Sequence, residues 1–208
     1  MRANDLPRTV ALRPIGTAVP LGFVALTVAT ASFASVELGW IGPLQSRVVA
    51  LGVIVFAVPL QTIACVVGFL GRDSVVATAN GILAGTWAAV SLVSILRPFP
   101  KTHPGLGALL VASGSVLLIS ALGAGAKPVA GLVLLTSSGR FVVTGVYELT
   151  GSLAWKPVAG WWGIALAIVA FYAAMAFELE GAYGRTILPT GRPQQISELG
   201  PPGVREQL

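Results

Sequence analysis

Six apolar stretches of about 20 residues follow one another along the chain, and a water-soluble domain has no way to bury them all. They run over residues 15–38, 48–70, 75–96, 105–125, 129–153 and 159–180. Turn signals stop them: Gly39-Trp40-Ile41-Gly42-Pro43, Gly71-Arg72-Asp73, Arg97-Pro98-Phe99-Pro100-Lys101 and Ala126-Lys127-Pro128. A spanning helix needs about 20 mostly apolar residues, so each stretch is long enough to cross a bilayer. Only 10% of the residues are charged, against about 25% in soluble proteins, and the mean hydropathy is +0.84. The expected fold class is all-α: a polytopic membrane protein with six transmembrane helices. Residues 1–14 are expected to form a polar N-terminal segment, residues 15–183 the membrane domain, and residues 184–208 a tail rich in Pro, Gly and charge whose last part is disordered.

Residues 1–13 are polar and basic, and the apolar run after them is long enough to remain as a span, so no cleavable signal is expected. Counting Lys and Arg gives the orientation. With six spans both termini share one side, together with Arg72 and Lys127. That side collects eight positive residues, the other collects four (Arg47, Arg97, Lys101 and Lys156), and Arg140 lies inside a span. The positive-inside rule then places both termini in the cytoplasm of a cell membrane. Trp40, Trp155, Trp161 and Trp162 would lie at the outer interface, as an aromatic belt does. The net charge of +5 is scattered singly through the loops, which reads as a topology signal and not as a nucleic-acid surface.

The connections are too short for a soluble catalytic domain. HExxH, GxSxG and Walker-type motifs are absent. One cysteine, Cys65, excludes an internal disulfide, and one histidine, His103, leaves little for a metal site. The reading is therefore no enzyme, no metal and no cofactor, with the lipid bilayer as the first partner.

The residues that stand out are polar ones inside spans. Arg140 sits near the middle of the fifth span and Glu148 eight residues later. An ionised group at the centre of a membrane helix costs about 2.5–3.5 kcal/mol on insertion scales, and it marks a functional site by default. At a rise of about 1.5 Å per residue, Gln61, Thr86, Arg140 and Thr27 lie roughly 14, 16, 17 and 18 Å from the cytoplasmic end. Converging faces would make a mid-depth polar belt with one fixed positive charge. A guanidinium fork matches a small carboxylate bidentately. The bland alternative for Thr27 and Thr86 is a hydrogen bond back to their own helix; Gln61 is more telling, because an unpaired amide in lipid is costly. Arg140 and Glu148 are two turns apart with Thr144 between, and the Cα–Cβ bond leans toward the helix start. A direct pair within the helix is not expected. Arg140 then has two readings, an ion pair with another helix or subunit, or anion binding; Glu148 has a structural or a proton-accepting one. Pro20 and Pro59 would kink the first two spans and mark either a pathway or a packing bend. Gly81-xxx-Gly85 and Gly163-xxx-Ala167 allow close helix approach.

Several segments resemble the acetate uptake transporters, the YaaH-type or succinate–acetate permease family. Ala18-Val19-Pro20-Leu21-Gly22-Phe23 resembles that family's Asn-Pro-Ala-Pro-Leu-Gly-Leu signature at the start of span one. Tyr183-Gly184-Arg185-Thr186-Ile187-Leu188-Pro189-Thr190-Gly191 resembles its Phe-Gly-Arg-Thr-Val-Leu-Pro-Ile-Gly ending, and Gly160-Trp161-Trp162-Gly163 its Gly-Trp-X-Gly start of span six. Gln61 stands where family members carry a glutamine. The resemblance covers roughly residues 16–191. It implies six helices per subunit, a homo-hexameric ring and a pore within each subunit. It implies passage of acetate, in some members succinate or other short carboxylates, with proton coupling often proposed. Leu26 and Leu83 fall where family members place aromatic rings at the narrow point, and Arg140 replaces part of a largely apolar span. The expected pathway is Pro20, Leu21, Gly22, Leu26, Thr27, Gln61, Leu83, Thr86, Arg140, Thr144 and Glu148. The expected function is a transporter or channel for small monocarboxylates. A channel for small neutral solutes (amide, urea or ammonia) and a non-conducting membrane assembly protein are the alternatives.

Overall fold

The computed structural model describes residues 15–97, 102–125 and 127–191. The expectations for residues 1–14 and for the last part of the tail lie outside these. Each apolar stretch forms one helix: α1 (Val19–Glu37), α2 (Ser46–Leu70), α3 (Ser74–Leu96), α4 (Pro104–Gly123), α5 (Pro128–Thr150) and α6 (Trp155–Tyr183). All six are long and apolar enough to cross a membrane. The chain is a six-helix membrane protein. Two ends can be named from the path of the chain. The terminal end holds the start of α1, the α2–α3 and α4–α5 turns and the end of α6. The distal end holds the other loops.

The helix boundaries follow local chemistry. Pro104 and Pro128 open α4 and α5, where the missing N–H is one of the unpaired ones anyway. Asp73 caps α3, its carboxylate accepting from the Val76 N–H at 3.1 Å. Gly151 ends α5 in the left-handed region at φ +65°, where an L side chain would be strained.

The helices close into a ring. α2 bridges α1 and α3, α4 bridges α3 and α5, and α6 bridges α5 and α1. α1 is the most buried of the six. α4 and α5 are in backbone contact: a Cβ placed on Gly145 would lie 2.8 Å from the Gly107 carbonyl oxygen. The Ser138 hydroxyl donates to the Gly114 carbonyl at 2.7 Å in the same seam. Small residues thus set this helix pair, as membrane packing requires. Beyond α6 the chain folds back. The Tyr172 hydroxyl donates to the Pro189 carbonyl at 2.8 Å, Thr190 is buried, and Gly191 rests against Pro128.

Two expectations about prolines change. α1 begins at Val19, so Pro20 sits in the first turn and bends nothing. Pro59 lies inside an unbroken α2, but on its exposed face.

Candidate functional site

Two cavities lie one above the other among α1, α3, α4 and α5. The terminal-end cavity has about 190 Å³ of free space and runs from Val19 and Asn80 to Lys127 and Leu134. The Asp73–Lys127 ion pair stands at its edge. The distal cavity is narrow, with about 30 Å³ of free space, and runs from Phe141 and Leu110 to Glu37 and His103. Between them, on α1, α3 and α4, sit Leu26, Leu83 and Leu117, all fully buried. The two leucines expected at a constriction are fully buried, on the stretches of α1 and α3 between the residues that line the two cavities.

Three faces of α5 explain how the distal cavity is built. Ser138 and Gly145 face α4. Gly139 faces the Trp162 ring of α6, whose indole N–H donates to the Thr136 carbonyl at 2.9 Å. The remaining stripe of Arg140, Thr144 and Glu148, spaced four residues apart, lines the cavity.

The Arg140 guanidinium donates from Nη2 to Glu37 Oε2 at 2.6 Å, and both side chains are only 3% exposed. Its Nη1 donates to the Thr144 hydroxyl, and Nε has no partner. Glu37 is the last residue of α1. Arg140 thus reaches toward the distal end, against the lean of its Cα–Cβ bond. The side chain is long enough to override one bond direction, and the distal end is where a carboxylate and a hydroxyl wait. α6 makes room for this pair: a Cβ on Gly163 would come 2.9 Å from Arg140 Nε, and one on Gly160 would come 3.4 Å from the Glu37 Cβ. The two glycines of the Gly-Trp-Trp-Gly segment house the ion pair.

Glu148 has a different partner. Its Oε2 accepts the His103 backbone N–H at 2.7 Å, at the start of α4. A carboxylate is favoured there by the unpaired N–H groups of a helix start. Below the charges lies an aromatic floor. Phe33 stacks on Trp87 at a centroid distance of 5.6 Å, and Trp87 meets Phe141 edge-on at 5.6 Å. This is a favoured geometry for aromatic quadrupoles.

The remaining expected residues are placed as follows. Leu21 is half-buried against the core. Gly22 leaves space for Asn80, whose side-chain amide occupies the position where a Cβ would stand. The hydroxyls of Thr27 and Thr86 donate to their own helix, to the Phe23 and Ile82 carbonyls. Gln61 is fully buried, neither of its amide atoms has a partner among the described residues, and it lines neither of the two cavities. The mid-depth belt therefore does not assemble: its hydroxyls are engaged locally and its guanidinium serves the distal cavity. Replacing Thr27 or Thr86 by Val should change stability by less than about 1 kcal/mol, because the carbonyls keep their helical partners. Thermal unfolding in detergent measures this.

The sequence reading missed Glu37, Asn80 and the Phe33–Trp87–Phe141 cluster. The signal for Glu37 was present. It is a carboxylate at the end of an apolar span, in a chain whose fifth span carries an arginine that needs a partner.

No family model matches the chain, and no curated protein matches it. Among solved structures, that of the bacterial acetate channel SatP superposes with a TM-score of 0.75 at 22% identity, over 85% of this chain and 99% of that one. At that level of identity the likeness establishes that the chain has the fold of SatP.

Proposed function

We propose that this protein lets small monocarboxylates such as acetate cross the membrane, along the line of the two cavities. The observation that carries this reading is the pair of cavities aligned through one bundle and separated by Leu26, Leu83 and Leu117. It is supported by a fold shared with a protein described as an acetate channel. An apolar septum strips water from the solute, and the polar groups of the distal cavity offset part of that loss. The Lys and Arg count supports termini in the cytoplasm, and the resemblance of the signature segments supports a homo-hexamer.

Proteoliposome uptake of labelled acetate tests the reading. Uptake above that of empty vesicles is expected; equal uptake ends the proposal. Leu26→Ala and Leu83→Ala widen the septum and should raise the rate severalfold, whereas Leu83→Trp should abolish it. A second reading, a channel for small neutral solutes, is favoured by one feature. Glu37 neutralises Arg140, so the ion pair offers no net charge. Urea uptake that acetate fails to inhibit would favour it.

A further inference from the structure

We propose that Glu37 is a tethered carboxylate that fills the anion position of Arg140 and is exchanged for a free carboxylate arriving from the distal side. The inference rests on the carboxylate reading above and specifies how its distal cavity is regulated.

The geometry of the pair is incomplete in a particular way. Glu37 holds the guanidinium through one oxygen on one nitrogen, Oε2 on Nη2 at 2.6 Å. A fork of two parallel bonds is the stronger arrangement for arginine and carboxylate. Nη1 is turned to the Thr144 hydroxyl, and Nε, packed against Gly163, has no hydrogen-bond partner among the described residues. A free carboxylate can reach the two-bond geometry that the tethered one does not hold. The cavity has only about 30 Å³ of free space while Glu37 is in place, so the free carboxylate enters as Glu37 withdraws, its methyl or methylene groups against the Phe33, Trp87 and Phe141 rings.

Glu148 does not compete for this position, because its carboxylate accepts the His103 backbone N–H at 2.7 Å. Glu37 also has somewhere to go. It closes α1 immediately before Leu38 and Gly39, the latter at φ +74°. Lys156, in the first turn of α6, is a second cation whose field acts on it.

Because it is attached to the chain, Glu37 competes at the millimolar effective concentration typical of short tethers. Neutralising it should therefore strengthen the site. In proteoliposomes, Glu37→Gln should lower the acetate concentration giving half-maximal uptake about tenfold, the low end for removing one close charge pair. Arg140→Gln should raise it, and the double variant should match Arg140→Gln. A half-saturating concentration that is unchanged or higher in Glu37→Gln overturns the proposal. If Glu37→Gln does not assemble, Glu37→Asp carries the test. It keeps the charge and shortens the tether by one methylene, and it should lower the half-saturating concentration by a smaller factor; no decrease overturns the proposal.

A binding measurement separates this from failure of the carboxylate reading itself. In detergent, sodium acetate should raise the unfolding midpoint of Glu37→Gln more than that of the unaltered protein, relative to sodium chloride. If unaltered vesicles carry no acetate but that difference is seen, the transport reading fails and the tethered carboxylate stands. If unaltered vesicles carry acetate and the variant differs in neither measurement, the tethered carboxylate fails alone.

Discussion

Replacing Glu37 by Ala should destabilise the bundle by about 3–5 kcal/mol, the usual cost of stripping one partner from a buried ion pair. The value is large because Arg140 would stay charged at 2% exposure with only Thr144 left to it. Arginine cannot shed its proton to escape. Thermal unfolding in a mild detergent measures the loss, and a change below about 1 kcal/mol would mean that water already reaches the guanidinium. The companion variant is sharper. Glu37→Leu with Arg140→Met replaces both charges by apolar groups, and buried pairs treated this way often lose nothing. Stability near that of the unaltered protein is expected from the double variant. Such a result would mean that the pair persists for what it does and not for what it holds together.

The second large effect lies in the α4–α5 seam. Gly145→Leu should abolish the folded bundle. A Cβ at this position already meets Val111 Cγ2 at 2.7 Å and the Gly107 carbonyl oxygen at 2.8 Å. A side-chain tip could move aside, but a helix backbone cannot without separating the helices. Overpacking typically costs about 1–3 kcal/mol where side chains can shift, and here the obstruction is main chain. The site suffers as well, because α5 carries Arg140, Thr144 and Glu148 on the stripe beside this seam. Gly85→Ala is the control. Nothing lies within 4 Å of its added Cβ, and helix propensity alone favours Ala by about 1 kcal/mol. Size-exclusion profiles and unfolding midpoints of the two variants should diverge fully. Similar behaviour would mean that the seam tolerates separation.

The contrast between Gly145 and Gly85 also indicates what a sequence conveys about such a protein. The six helices were legible because lipid demands long apolar runs, and Gly, Pro and Asp punctuate them where the backbone must turn. The predicted stretch 75–96 and the observed Ser74–Leu96 differ by one residue. Which glycine meets a neighbouring backbone was not legible. Gly81 and Gly85 have the motif spacing, yet Gly85 faces open space, while Gly107 and Gly145 meet across 38 positions of chain.

The candidate site was half legible for the same reason. Arg140, Thr144 and Glu148 fall on one stripe by helical spacing alone, and the structure lines one cavity with all three. Leu26 and Leu83 came from the family resemblance, and both are fully buried. Glu37 required knowing that the end of α1 faces the middle of α5, a tertiary fact. Pro20 misled because its effect depends on whether the helix starts before it or well before it, and a difference of four residues decides that.

The ion pair also has a consequence for biosynthesis. Arg140 and Glu37 are 103 positions apart, and spans enter the membrane in the order they are made. When the fifth segment leaves the translocation machinery, its arginine meets a bilayer in which the acid on span one has long been waiting. The glycine face that encloses both arrives only with span six. Until then the nascent chain holds a charge whose burial is incomplete, at an insertion cost of about 2.5–3.5 kcal/mol. The last span to be synthesised is thus the one that seals the pair, and a ribosome stalled before it would leave the most expensive residue of the chain half-sheltered.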